Sequence, residues 1–101
     1  MFVAINRMGV PEGMRATFEQ HFMTRAGAVD RRQGFIKAEV LRPKSGSDYL
    51  VMTHWQSEAD FNAWVGSPEF HEGHRRMADF KDSDGKVTLT SSMETYDVFA
   101  G

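Results

Sequence analysis

Met1-Phe2-Val3-Ala4-Ile5-Asn6-Arg7-Met8 opens the chain as a strand that is apolar on both faces. Successive side chains of a strand point to opposite sides, so Phe2, Ala4 and Met8 share one face and Val3 and Ile5 share the other. Asn6 and Arg7 are the polar exceptions, and Asn6 falls on the face of Phe2 and Ala4. An antiparallel sheet with helices on one side ordinarily turns polar residues to its free side. This strand has apolar residues on both sides, so both faces call for cover.

Outward from that strand, Val10-Pro11-Glu12-Gly13 is a turn. Apolar residues then recur at spacings of three and four (Met14, Phe18, Phe22, Arg25/Ala26, Val29), which predicts a helix over 12–30 with Arg15, Glu19 and Gln20 on its polar side. Gly34 ends it with a residue able to take positive φ. Phe35 to Leu41 reads as a second strand with Ile36, Ala38 and Val40 on one face, and Arg42 to Asp48 as a hairpin loop around Pro43 and Gly46. Tyr49 to Trp55 is a third strand, again apolar on both faces. Ser57 caps a short helix, with Asp60 three residues later, and Phe61, Trp64 and Val65 form its apolar side. Ser67-Pro68-Glu69 starts another helical piece carrying Phe70, His74 and Met77. Lys81 to Lys86 is polar. Val87 to Phe99 is the last strand, and a slip in its apolar phase between Met93 and Tyr96 predicts a bulge near Thr95.

The order is β-α-β-β-α-β, an α+β, ferredoxin-like arrangement in one domain over 1–101, with two helices on one face of a four-stranded antiparallel sheet. The other face is too apolar to stay wet, and a two-fold homodimer with facing sheets covers it most simply.

Composition narrows the function classes. Lys and Arg number 12 against 14 Asp and Glu, without a basic run, which points away from nucleic acid and from a polybasic membrane contact. No apolar stretch approaches the ~20 residues of a membrane span. The chain has no cysteine, so disulfides and thiolate chemistry are excluded, and a reducing, cytoplasmic setting is the expectation. Phosphate loops, His-Glu-x-x-His and nucleophile elbows are absent. Eight Phe, two Trp and seven Met suit either a core or the walls of a pocket for a large flat ligand.

The polar residues within apolar segments are the candidates for chemistry. His71 and His74, three apart, share one helical side and serve either a metal or a solvated helix. His54 reads as a hydrogen-bonded interior residue and His21 as a packing residue. Asn6 either satisfies neighbouring backbone or points into a cavity as a donor to a ligand, since a buried amide left unpaired costs about 1–3 kcal/mol. Trp64 by itself reads as core.

Taken together, Ala4-Ile5-Asn6-Arg7, Phe22-x-x-Arg25, Gly34-Phe35, Trp55-Gln56-Ser57 and Phe61-x-x-Trp64-x-x-Ser67-x-x-Phe70-x-x-x-His74-Arg75 resemble the antibiotic-biosynthesis monooxygenase superfamily, and within it the IsdG-type heme-degrading monooxygenases. The likeness runs from about Phe2 to Arg76. It implies a dimeric α+β barrel that holds heme b, as both substrate and cofactor, between helices and sheet. It matches His74 to the axial ligand of the heme iron and Asn6 to the distal amide that hydrogen-bonds dioxygen there. It matches Trp64 to an indole that presses on the porphyrin and ruffles it. Phe22 and Arg25 match residues at the heme edge and propionates, and Phe70 belongs to the same pocket. His74 falls ten residues after Trp64 and fits the pattern without a gap; His71, seven after it, is the rival ligand. The implied activity opens the porphyrin with O2 and electrons from an unidentified external reductase, releasing iron and a bilin-like product. Two alternatives stand beside it: a cofactor-independent monooxygenase acting on a polycyclic phenol, which needs no histidine ligand, and a heme-binding dimer without turnover.

Overall fold

A computed structural model describes residues 1–23, 28–72 and 89–101. Strand β1 (Phe2–Gly9) is an inner strand: it pairs with β3 (Asp48–Trp55) on one side and β4 (Thr90–Asp97) on the other, both antiparallel. Strand β2 (Phe35–Leu41) pairs with the free side of β3, giving the order β2-β3-β1-β4. Between β1 and β2 lie a 3-10 turn (Glu12–Met14), helix α1 (Arg15–Met23) and a second 3-10 turn (Ala28–Arg31); α2 (Glu58–Val65) follows β3, and residues 68–72 are again helical. This is the β-α-β-β-α-β fold. No described helix is long and apolar enough to cross a membrane.

The register explains where the cores form. Phe2 lies opposite Trp55 and Met8 opposite Tyr49, so the bulky residues of the helix-facing side gather at the two ends of the strands. At one end Phe2, Ala4, Val29, Trp55 and Phe61 form one buried cluster, with Phe35, Trp64 and Val65 packed against it. At the other, Met8, Val10, Met14, Phe18 and Tyr49 form a second, flanked by Phe22, Val51 and Leu89. Trp55, Tyr49, Phe18 and Val10 are the largest fully buried side chains, and burying a large apolar side chain is worth ~1.5–3 kcal/mol. The Phe18 ring sits 4.8 Å from that of Tyr49, and Phe61 lies 5.3 Å from Phe2 and 5.9 Å from Trp55.

Several expectations are corrected. The pattern over 12–30 is not a single α-helix: its described residues form α1 and two 3-10 turns. Met14, Phe18 and Phe22 serve one cluster while Val29 serves the other, so one continuous stripe could not satisfy both. Pairing in β4 runs without a break from Thr90 to Asp97, so there is no bulge at Thr95; Met93 and Tyr96 simply face opposite sides. The irregularity lies in β2 instead, between Phe35 and Lys37. It lets Phe35 reach Trp55, 5.5 Å away edge-on, and leaves Ile36 exposed and out of step with Ala38 and Val40. The last strand stops at Asp97. The Val98 N–H still donates to the Met1 carbonyl, but Phe99 is fully exposed. Residues 87–88 lie outside the described residues, as do Arg25, His74, Met77 and the 81–86 segment.

The local punctuation holds. The Ser57 hydroxyl accepts from the Asp60 N–H at 3.2 Å and caps α2. Gly34 has φ +81°, and a β-carbon there would lie 2.6 Å or less from three atoms of the Asp60 side chain. Gly34→Ala therefore meets both a left-handed backbone and a steric conflict with the first turn of α2. It is expected to lower the unfolding free energy by about 1–3 kcal/mol in urea titration. A loss below about 0.5 kcal/mol, the range of ordinary surface substitutions, would contradict this reading.

Candidate functional site

Between the two clusters the helix-facing side of the sheet changes character. Passing along β1 from Phe2 to Met8, the residues on that side are Ala4 and Asn6, lying opposite Thr53 and Val51 of β3. All are smaller than the residues at either end. The Thr53 hydroxyl accepts from the Trp55 indole N–H at 2.9 Å, so this part of the floor is polar but internally satisfied. Asn6 is half-buried. Among the described residues none is hydrogen-bonded to its amide. On the β4 side its register partner is Met93, which is 46% exposed, so the floor is open in that direction.

The walls are aromatic. Trp64 lies against the Trp55–Phe61 cluster and is itself half-buried. Its ring meets Phe70 edge-on at 5.7 Å, and Phe70 meets His71 at 5.8 Å. From the other end of the sheet Phe22, half-buried, packs on Phe18 at 5.0 Å. A lone amide between two apolar clusters edged with aromatic rings suits contact with a flat, largely apolar ligand. Of the candidate residues, Asn6 lies between the clusters, Trp64 packs against one of them and Phe22 against the other, and Phe70 packs on Trp64. His71 is exposed. Arg25 and His74 lie outside the described residues.

A polar clamp fastens the α1 wall. The Glu19 carboxylate accepts from both ends of the Arg42 guanidinium, from Nε at 2.9 Å, and from the Tyr49 hydroxyl. Arg42 first and Tyr49 second hold the Glu19 pKa down at about 2. Burial, then the bond to Glu19, pushes the Tyr49 phenol up. Arg15 sits over the Tyr49 ring at 5.7 Å and donates to the Gly46 carbonyl. Sequence patterning assigns Glu19 to the solvated side of its helix and Tyr49 to the apolar side of its strand. Nothing in either local pattern signals that the phenol reaches the carboxylate. Met93 is likewise invisible until the β1–β4 register is known.

The remaining histidines lie elsewhere. His21 packs edge-on against Phe22 at 5.1 Å. His54 is on the opposite sheet face; its Nε2 is buried without a hydrogen-bond partner, 3.7 Å from a Glu39 carboxylate oxygen. The hydrogen bond expected for it is absent because that distance is too long. Among the described residues no cluster of three metal-ligating side chains exists.

Comparison with known proteins sharpens this geometry. The family model for antibiotic biosynthesis monooxygenase matches residues 1–76. The chain belongs to the antibiotic biosynthesis monooxygenase family. A curated mycobilin-producing heme oxygenase of Mycobacterium tuberculosis is 42% identical over 76 residues, 72% of each chain. A staphylobilin-producing heme oxygenase of Staphylococcus haemolyticus is 34% identical over 96 residues, covering 92% of this chain and 90% of that one. The M. tuberculosis heme-degrader MhuD, solved with two hemes bound in its active site, superposes with a TM-score of 0.77 at 31% identity over 100% of this chain and 98% of that one.

The Glu19 clamp has a pH signature. Its folded-state pKa lies below the ordinary 4.5, so its contribution is complete above about pH 4.5 and is lost as pH falls towards about 2. Glu19→Gln is expected to be less stable than the wild type at pH 7 and to show a flatter loss of Tm across that acid window. Parallel acid limbs in thermal melts of the two proteins would contradict the assignment.

Proposed function

We propose that this protein is a heme-degrading monooxygenase whose substrate lies in the gap between the two apolar clusters. The observation that carries the reading is the position of Asn6: a half-buried amide on the helix-facing sheet surface, between one cluster that Trp64 packs against and another that Phe22 packs against. The heme oxygenases among the relatives support it.

Bound heme is both substrate and source of the redox chemistry: its iron, with dioxygen and electrons from an external donor, oxidises its own macrocycle to a bilin-like product and free iron. The chain's contribution is position and environment. Asn6 offers an amide N–H to the distal side without a titratable proton. A fixed donor aimed where charge develops is worth ~10²–10³ in rate. Trp64 supplies bulk against one face of the ring, and Phe22 and Phe70 keep water out. Arg25 is assigned to the propionates and His74 to the axial bond, with His71 as the alternative.

The test loads each variant with hemin, adds ascorbate in air with catalase present, and follows decay of the Soret band. Catalase removes free peroxide, which bleaches heme without an enzyme. Asn6→Ala is expected to take up hemin and turn it over ~10²–10³ more slowly, and Trp64→Ala to take it up and turn it over more slowly with a lowered Tm. His74→Ala is expected to lose the imidazole-ligated spectrum while His71→Ala keeps it. Wild-type decay in both Asn6→Ala and Trp64→Ala would favour a heme-binding protein without turnover, and bleaching by His71→Ala alone would reverse the ligand assignment.

The finer expectation of a homodimer rests on the other sheet face. Ile5, Leu50 and Met52 are half-exposed there, Leu41 and Tyr96 are 39% and 49% exposed, and the unpartnered His54 Nε2 lies among them. A second copy seated on this face covers the apolar residues. Light scattering at micromolar concentration is expected to give twice the 11.5 kDa chain mass, with well over about 1,000 Å² buried. A monomer would contradict it.

A further inference from the structure

Ser67 is the buried polar residue among the described residues, with 4% of its surface exposed. It stands where α2 ends and the next helical segment begins, and every polar group it has is engaged. Its hydroxyl donates to the Trp64 carbonyl at 2.6 Å and accepts from the Phe70 N–H at 3.2 Å. Its own N–H donates to that same Trp64 carbonyl at 3.0 Å, and its carbonyl accepts from the His71 N–H at 3.3 Å. A capping serine ordinarily satisfies one helix. This one holds the last turn of α2 and the first turn of the segment 68–72 in one hydrogen-bonded corner. The residues joined by that corner are Trp64 and Phe70, whose rings meet at 5.7 Å and 87°, and Phe70 leads on to His71.

We infer that Ser67 is a positioning residue for the ligand gap: its hydroxyl sets the Trp64 indole relative to the helical segment that follows. The inference rests on the functional reading above, in which the indole presses on a ring bound by an imidazole from beyond this corner. The indole's depth and the placement of the segment 68–72 are then not independent. Ser67 couples them, because it hydrogen-bonds the backbone of both Trp64 and Phe70. Ser57 offers a matched comparison: it caps the opposite end of α2 through the Asp60 N–H.

The experiment compares wild type, Ser67→Ala, Ser67→Gly, Ser67→Thr and Ser57→Ala. Glycine is tolerated at a cap far better than alanine, so Ser67→Gly removes the hydroxyl from a folded protein. The near-UV circular dichroism of each apo-protein is recorded, followed by titration with hemin for affinity and Soret position. The expected result is a weakened aromatic dichroism and a displaced Soret maximum in both Ser67→Ala and Ser67→Gly. Hemin binding should be on the order of tenfold weaker, with Ser67→Thr restoring all three readouts. Ser57→Ala should lose stability but keep wild-type affinity and spectrum. Hydroxyl-free Ser67 variants that match the wild type, or that match Ser57→Ala, would overturn the inference while leaving the heme reading intact. A wild type that takes up no hemin would overturn both.

Discussion

Tyr49 and Trp55, one at each end of β3, govern this structure. They point to the same side of the sheet, both are buried, and each draws its own helix and its own set of apolar partners. Two cores at opposite ends of short strands leave a middle, and the middle carries Asn6 and Thr53, with Ala4 and Val51 at the edges of the cores. A chain of 101 residues has little interior to give up. A site between the two cores needs no hole opened in either. The Glu19–Arg42–Tyr49 clamp secures α1 at one end, and the Ser67 corner joins α2 to the segment 68–72 at the other.

What the sequence reveals is what depends on near neighbours. The alternation in Phe2–Met8, the caps at Ser57 and Ser67 and the positive φ of Gly34 are all local, and all appear as expected. What it conceals depends on partners distant in the chain. Phe35 shifts the phase of β2 to reach Trp55. Val29 leaves the stripe of Met14 and Phe18 for the other cluster. The slip between Met93 and Tyr96 is no irregularity, because β4 presents apolar groups to both sides of the sheet. Glu19 looks solvated until Tyr49 and Arg42 are brought to it. Asn6 was legible as an anomaly in an apolar strand, but its position between two clusters needed the β1–β3 register.

The two sheet faces divide the work. The helix-facing side holds the aromatic walls and the lone amide. The opposite side combines apolar residues with a polar edge, where Arg7 pairs with Glu94 at 2.9 Å and the Tyr96 hydroxyl donates to the same carboxylate at 2.7 Å. The bond from Tyr96, then that from Arg7, keeps the Glu94 pKa below its usual range. Such exposed pairs add little stability, and with the Lys37–Glu39 pair on β2 they put charge at both edges of that face.

The proposed function requires the ligand to lie over Asn6 on the helix-facing side of the sheet. Amide and methyl NMR spectra recorded while the protein is titrated with gallium protoporphyrin IX, a diamagnetic stand-in for heme, test it directly. The largest ring-current shifts are expected at Asn6, Val51, Thr53, Trp64 and Phe70, with the methyl groups of Ile5, Leu50 and Met52 on the opposite face unmoved. Shifts concentrated on Ile5, Leu50 and Met52, with Asn6 and Trp64 unperturbed, would contradict the account.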